Sequence, residues 1–262
     1  LTYNSGFFVE ETLDSVKGQT YSHLELIISD DGSTDNTVET CRNWIENNKD
    51  RFARTELITT NKNTGIPANF NRSTKAVKTE WIKFLSGDDA LLPNCIEDNL
   101  HYVLTNPEVK VLYSYNQVYR NTFNEENFVR LNPSSYPKNV ISENITAYQQ
   151  YKILLAGNKV SFTPSGFINR FALIDAGLPD EDLFSEDYQL LLKLTRKGFK
   201  LYFMEKETVL YRQHQSAINN STSQYIIKPH YFKTEIFRRR YIYPNVPVDI
   251  RLHHQYRWFV NQ

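Results

Sequence analysis

Only two cysteines, Cys41 and Cys95, and one methionine occur among 262 residues. Two thiols are too few for a disulfide scaffold and lack the paired spacing of a zinc site. A reducing, cytoplasmic compartment is therefore the expectation. Charge of one sign is also lacking, since 30 Lys and Arg balance 30 Asp and Glu. A neutral chain has no global electrostatic footprint for nucleic acid, so a charged partner must be met locally. No run of about 18 apolar residues is present, which removes a transmembrane helix, and no basic-then-apolar opening reads as a signal peptide. What is abundant is aromatic: 17 Tyr and 16 Phe, side chains that stack flat apolar faces while offering hydroxyls.

The opening Leu1-Thr2-Tyr3-Asn4 reads as the end of a strand. Apolar periodicity then alternates between helix and strand: a helix over Phe8–Lys17, a strand over Leu24–Ser29, a helix capped at Thr34 or Asp35, and a strand over Thr55–Thr59. A helix from Ile66 to Val77 and a strand from Trp81 to Leu85 follow. These are βαβ units, which predict a mostly parallel, mixed α/β sheet with helices on its faces. Ligands of such sheets gather at the carboxyl ends of strands. Asp30-Asp31 and Asp88-Asp89 both stand where an apolar strand stops, so both are expected to open onto one crevice. Further on, the pattern predicts a helix over Pro93–Leu104, a strand over Val109–Tyr119, a polar excursion over Arg120–Asn139 and a helix near Ile145–Leu155. A strand over Val160–Ile168, helices over Arg170–Ala176 and Ser185–Lys197, and two strands, Leu201–Met204 and Val209–Arg212, complete the series.

Four clusters can carry chemistry. Ser29-Asp30-Asp31-Gly32-Ser33-Thr34-Asp35 puts carboxylates and hydroxyls on a strand-to-helix turn, able to accept hydrogen bonds from a base or a ribose, or simply to cap the turn. Ser86-Gly87-Asp88-Asp89 delivers hard oxygen ligands suited to Mg²⁺ or Mn²⁺, which take one or two carboxylates plus substrate phosphates. Ser185-Glu186-Asp187-Tyr188-Gln189 opens an amphipathic helix; its acids complement the helix dipole or supply a general base. Tyr211-Arg212-Gln213-His214 follows a strand and offers a cation for a phosphate or carboxylate and an imidazole for a metal.

Taken together, Thr2-Tyr3-Asn4, Asp30 to Asp35, Asn63-Thr64-Gly65 with Ala68-Asn69-Phe70-Asn71, Ser86 to Asp89, Glu186-Asp187 and Tyr211 to His214 resemble the inverting family 2 glycosyltransferases of GT-A fold. The likeness covers about residues 1 to 220. It implies that Thr2, Tyr3, Asn4, Asp30 and Asp31 hold the nucleotide, with Asn63, Asn71, Gly87, Asp88, Glu186 and Arg212 along the sugar-nucleotide. It further implies Asp88, Asp89 and His214 at a divalent cation, Mg²⁺ or Mn²⁺, and Asp187 as catalytic base. A UDP-sugar is the default donor, and a glycan or lipid-linked saccharide the acceptor. The family's metal motif often reads Asp-x-Asp; Ser86 stands at its first position here, one carboxylate fewer toward the donor.

The expected division is a catalytic unit over 1–224 and an aromatic, basic, helical tail over 225–262. Arg238-Arg239-Arg240 among Phe232, Phe237, Tyr241 and Tyr243 suits either a helix packed on the core or on a second subunit, the favoured reading, or peripheral contact at the inner face of the cell membrane. Two rival classes remain. A sugar nucleotidyltransferase needs a Gly-rich phosphate loop that Thr2 to Gly6 does not provide, and a non-catalytic nucleotide-sugar or glycan-binding module has no need of Asp187.

Overall fold

The computed structural model describes residues 1–157, 160–184, 186–215, 229–249 and 251–252. Its first half is a small layer. Strand β1 (Glu25–Asp30) pairs in parallel with β2 (Arg54–Thr59), in register from Glu25 opposite Arg54 to Asp30 opposite Thr59. Helix α1 (Val9–Lys17) buries Val9 and Leu13, and α2 (Thr37–Asn48) buries Cys41 and Trp44, against Leu26 and Ile28 of β1. Apolar residues on one stripe of each helix thus meet the apolar face of the pair.

The second sheet has the order β3-β7-β5-β8-β4, with β6 added beside β5. Its strands are β3 (Trp81–Lys83), β4 (Ala90–Leu91), β5 (Val111–Arg120), β6 (Phe128–Asn132), β7 (Phe167–Asn169) and β8 (Leu201–Gln213). β5 and β8 run parallel, whereas β3–β7, β5–β7, β5–β6 and β4–β8 are antiparallel. The main core lies on one face of this sheet, under α5 (Ala147–Leu155), α6 (Arg170–Ala176) and α7 (Glu186–Lys197). Leu154, Leu191 and Leu194 are fully buried there, and each such side chain stabilises the fold by roughly 1.5–3 kcal/mol. α4 (Cys95–Thr105) covers the opposite face with Cys95, Ile96 and Val103.

The mixed α/β architecture flanked by helices is the one expected, with a larger antiparallel share than βαβ alternation suggests. Alternation reports which segments are strands; direction is set by connections such as the turn Thr163–Ser165, which returns the chain into β7 beside β3 and β5. The span 160–165 is irregular rather than a strand, because Ser165 and Gly166 donate backbone hydrogen bonds within the turn to Phe162 and Thr163. The polar excursion contains β6, whose residues Phe128 and Val129 are exposed. An exposed edge strand needs no apolar alternation, so nothing marked it in the sequence. The two terminal strands form one, β8, whose pairing with β5 shifts register near Tyr115.

Helix α3 (Ile66–Ala76) packs over β1 and toward α7. Between β1 and β3 lies an apolar cavity of about 310 Å³, lined among others by Leu13, Leu26, Ile28, Val77, Ile82 and Phe84. Leu1 and Thr2 are also among its lining residues. Thr2 forms a parallel bridge with Asp30, in keeping with the strand-end reading. Of the tail, α8 (Pro229–Phe237) and a π-helical turn Arg238–Ile242 are described, and Phe237, Ile242 and Tyr243 are buried in the main core. Among the described residues no helix is long and apolar enough to cross a membrane.

Candidate active site

The backbone of Leu1 and Thr2 ties two strand ends together. The Thr2 N–H donates to Ser29 O (3.0 Å), Asp31 N–H to Thr2 O (3.0 Å), and Gly87 N–H to Leu1 O (2.8 Å). The Asp30-Asp31 and Gly87-Asp88 turns therefore lie side by side, as their positions at strand ends predict. Gly87 is required by this contact: a Cβ there would stand 2.8 Å from Thr2 Cγ2 and 2.9 Å from Ser5 Oγ.

At the end of β1 both carboxylates face inward. Asp30 is fully buried and accepts from the Thr2 hydroxyl (2.9 Å), the Ser33 hydroxyl and the N–H groups of Gly32 (3.1 Å) and Ser33 (2.8 Å). Asp31 accepts from Thr64 N–H (2.9 Å), Gly65 N–H (2.7 Å), the Thr64 hydroxyl and Arg72 (3.2 Å). Buried carboxylates need such donors. Gly32 sits at φ 77° against the Lys62 backbone, and Asn4, at φ 49°, accepts from Thr34 N–H (2.9 Å). Tyr3, 40% exposed, stands at the surface beside them. Asn63 lies in the adjoining exposed turn, where its side chain accepts from Gly65 N–H (3.0 Å).

On the second turn, Asp88 Oδ2 lies 3.0 Å from His214 Nε2, although 126 residues separate them. Asp89 is turned inward, accepting from Arg212 N–H (2.8 Å), and burial followed by the neighbouring Asp88 charge pushes its carboxyl well above the usual range. Arg212 is buried between the rings of Phe8 (4.6 Å) and Phe123 (3.9 Å). Its guanidinium donates to Asp88 O (2.7 Å), Asn121 O and Glu11. It thereby fixes the Asp88 backbone, while the tilted ring of Phe8 packs 4.6 Å from that of His214. One carboxylate oxygen and one imidazole nitrogen are ligand types that suit Mg²⁺ or Mn²⁺. Among the described residues no group of three or more protein ligands is gathered, so phosphate and water oxygens must complete any such sphere.

Asp187 opens α7. Its Oδ2 accepts from the Thr163 hydroxyl (3.1 Å) and its Oδ1 from Tyr188 N–H (2.7 Å). Beside it, burial reinforced by Asp187 pushes the Glu186 carboxyl up to about 7. The Thr163 turn is itself anchored: Lys83 Nζ donates to Pro164 O (2.6 Å), and Ser114 N–H to the Ser165 hydroxyl (2.9 Å). Burial lowers Lys83 to about 8. Helix α3 links the two sides. Its Asn69 and Arg72 reach Thr2 O and Asp31, while Asn71 donates to Pro179 O and Glu181, both 2.9 Å, leaving its Oδ1 buried without a partner. Thr163, Arg72, Glu11 and the Phe8–Phe123 sandwich escaped sequence reasoning. No local spacing marks a residue whose role is to hold another from a distant segment.

Residues 1–177 match the Glycosyl transferase family 2 profile. A UDP-Glc:alpha-D-GlcNAc-diphosphoundecaprenol beta-1,3-glucosyltransferase, WfaP of Escherichia coli, is 27% identical over 226 residues, which is 86% of this chain and 80% of that protein. An uncharacterized glycosyltransferase of Rickettsia typhi is 26% identical over 84% of this chain and 64% of its own length. S. aureus TarS 1-349 in complex with UDP-GlcNAc superposes with a TM-score of 0.67 at 16% identity, over 94% of this chain and 66% of that one. A mannosyltransferase from Pyrobaculum calidifontis, in complex with GDP-Man and Mn2+, gives 0.56 at 17% identity over 81% and 54%. The chain thus spans between half and two thirds of these two solved structures. These likenesses give the GT-A fold, and the match over residues 1–177 places the chain in glycosyl transferase family 2.

Proposed function

We propose that this chain transfers a sugar from a nucleoside diphosphate donor, a UDP-sugar, to a hydroxyl of a glycan or lipid-linked saccharide, with inversion. The observation that carries the reading is the meeting of Asp88 and His214 at 3.0 Å, beside the turn where Asp30 and Asp31 end β1. The nucleotides named for WfaP and TarS support UDP, and the acceptor named for WfaP supports a lipid-linked saccharide.

In this mechanism Thr2, Tyr3, Asn4 and the Asp30–Ser33 turn seat the base and ribose. Asp88 and His214 would hold a divalent cation, which would supply positive charge against that developing on the departing diphosphate. Arg212 keeps the Asp88 backbone in place for that contact. Asp187 takes the proton from the acceptor hydroxyl as its oxygen bonds to the anomeric carbon. The bond from that carbon to the diphosphate breaks on the opposite face, so one displacement inverts the centre. Thr163 and the Tyr188 N–H fix the rotamer of the base.

The deciding experiment offers the purified chain a panel of sugar nucleotides, with and without a lipid-linked saccharide, and measures free nucleoside diphosphate. Release that increases with acceptor is expected. No release from any donor overturns the reading in favour of a binding module.

A further inference from the structure

The basic tail reaches the segment on either side of Asp187. Residues 178–183, which lead into α7, form a short apolar and acidic loop held by hydrogen bonds at almost every position. Lys193 Nζ donates to Leu178 O (2.6 Å) and Asp180 (2.8 Å), Asn71 to Pro179 O and Glu181, and Asp180 N–H to the Gln189 side chain (2.7 Å). Leu183 N–H donates back to Asp180 O (3.2 Å) and its side chain is buried. Asp187 follows four residues later.

Two of these acids are grasped from the tail. Arg240 forks onto Asp182, Nη1 to Oδ1 at 3.0 Å and Nη2 to Oδ2 at 2.9 Å, and the same Nη1 reaches Asp180 Oδ2 at 2.7 Å. Burial of Asp180 opposes ionisation, yet the hydrogen bonds from Lys193 and Arg240 outweigh it and bring its carboxyl down to about 2. The flanking rings reinforce the grip. Phe237 packs 5.0 Å from the ring of Tyr188, the residue after Asp187, and stacks on Tyr241 at 5.3 Å, and Lys193 Nζ lies 5.6 Å from the Tyr241 ring. Tyr188 in turn donates its hydroxyl to Leu154 O (2.6 Å). The tail thus clasps both the loop before the base and the residue after it.

We propose that Arg240 is a positioning residue for the transfer reaction, fixing the 178–183 loop and through it the approach of Asp187 to the acceptor hydroxyl. The inference rests on the reading of Asp187 as base. A planar guanidinium satisfies two carboxylates in fixed directions, which an ammonium cannot do. Half-exposed ion pairs contribute little to global stability, so loss of the fork acts on geometry more than on folding. Misplacement of a reacting group by about 1 Å can cost on the order of 100-fold in rate.

The test compares Arg240→Ala and Arg240→Lys in the full chain with Arg239→Ala, which removes the same charge one residue away from a guanidinium paired with Glu235 (2.9 Å). Steady-state transfer is measured well below the unfolding midpoint, with hydrogen exchange of the 178–188 amides in parallel. Arg240→Ala is expected to lower kcat about tenfold, with donor KM within about twofold, and to speed exchange at 178–188; Arg240→Lys is expected to fall between it and the wild type. Arg239→Ala is expected to match the wild type. An Arg240→Ala enzyme with wild-type kcat, one whose loss tracks donor KM, or unchanged exchange at 178–188 overturns the proposal. A wild-type chain that releases no nucleoside diphosphate overturns the functional reading instead, so the two failures are distinct.

Discussion

Thr163 donates its hydroxyl to Asp187 Oδ2 at 3.1 Å, joining a turn before β7 to the first turn of α7. The carboxylate is thereby held in one rotamer, with Oδ1 committed to Tyr188 N–H. For the proposed base, a carboxylate held in this way makes the effect of its removal specific.

Asp187→Asn keeps the shape and removes the proton acceptor. Transfer is expected to fall by about 10²–10⁴-fold, the usual worth of a general base. Nucleotide binding by thermal shift is expected to stay at the wild-type level. Wild-type turnover in the purified variant would falsify the assignment.

Divalent cation removal is expected to abolish transfer, and added Mn²⁺ or Mg²⁺ to restore it. His214→Ala, which takes away one of the two groups that meet at 3.0 Å, is expected to raise the cation concentration for half-maximal rate by at least about tenfold. Full activity in excess chelator is the result that sinks the role given to Asp88 and His214.

Asp31→Asn tests the turn that ends β1. The partners of Asp31 are donors: two backbone N–H groups, the Thr64 hydroxyl and Arg72. An amide places an N–H₂ against donors in a buried site, which costs about 1–3 kcal/mol. Urea unfolding reads this directly, and an unchanged midpoint contradicts the geometry.

Glu186 gives a pH dependence with a definite sign. Its carboxyl titrates at about 7 in the folded chain, above its ordinary value of 4.5. A raised value means that stability is fully present below about 4.5 and is lost as pH rises through about 7, because the folded state resists ionisation. Glu186→Gln should remove that loss. Relative to wild type, its unfolding free energy is expected to gain on the order of 1–3 kcal/mol between acid and pH 8, at about 1.4 kcal/mol per pKa unit. Parallel pH profiles for the two proteins are the contrary result.

Much of this was legible in the residues. The Asp30-Asp31 and Asp88-Asp89 turns were readable because an apolar strand stops at each, and α7 because its acids precede its apolar stripe. Strand direction was not, since β7 and β4 pair antiparallel to their neighbours through connections that periodicity does not encode. Nor was the inward turn of Asp89: adjacent carboxylates look alike in sequence, and only the arrival of Arg212 from β8 separates them. The same holds for Arg240, whose partners are about 60 residues away. Long-range pairing leaves no local spacing to read.

Gly87 carries a last consequence. Its hydrogen atoms are all that stands between the Ser86–Asp89 turn and the Thr2 methyl. The interval between the Asp30–Asp31 turn, the proposed nucleotide seat, and the Asp88 turn, the proposed cation site, is therefore gauged by the absence of a side chain. Any residue larger than glycine acts there as a shim, widening the span a diphosphate must bridge while leaving every polar group of the site intact.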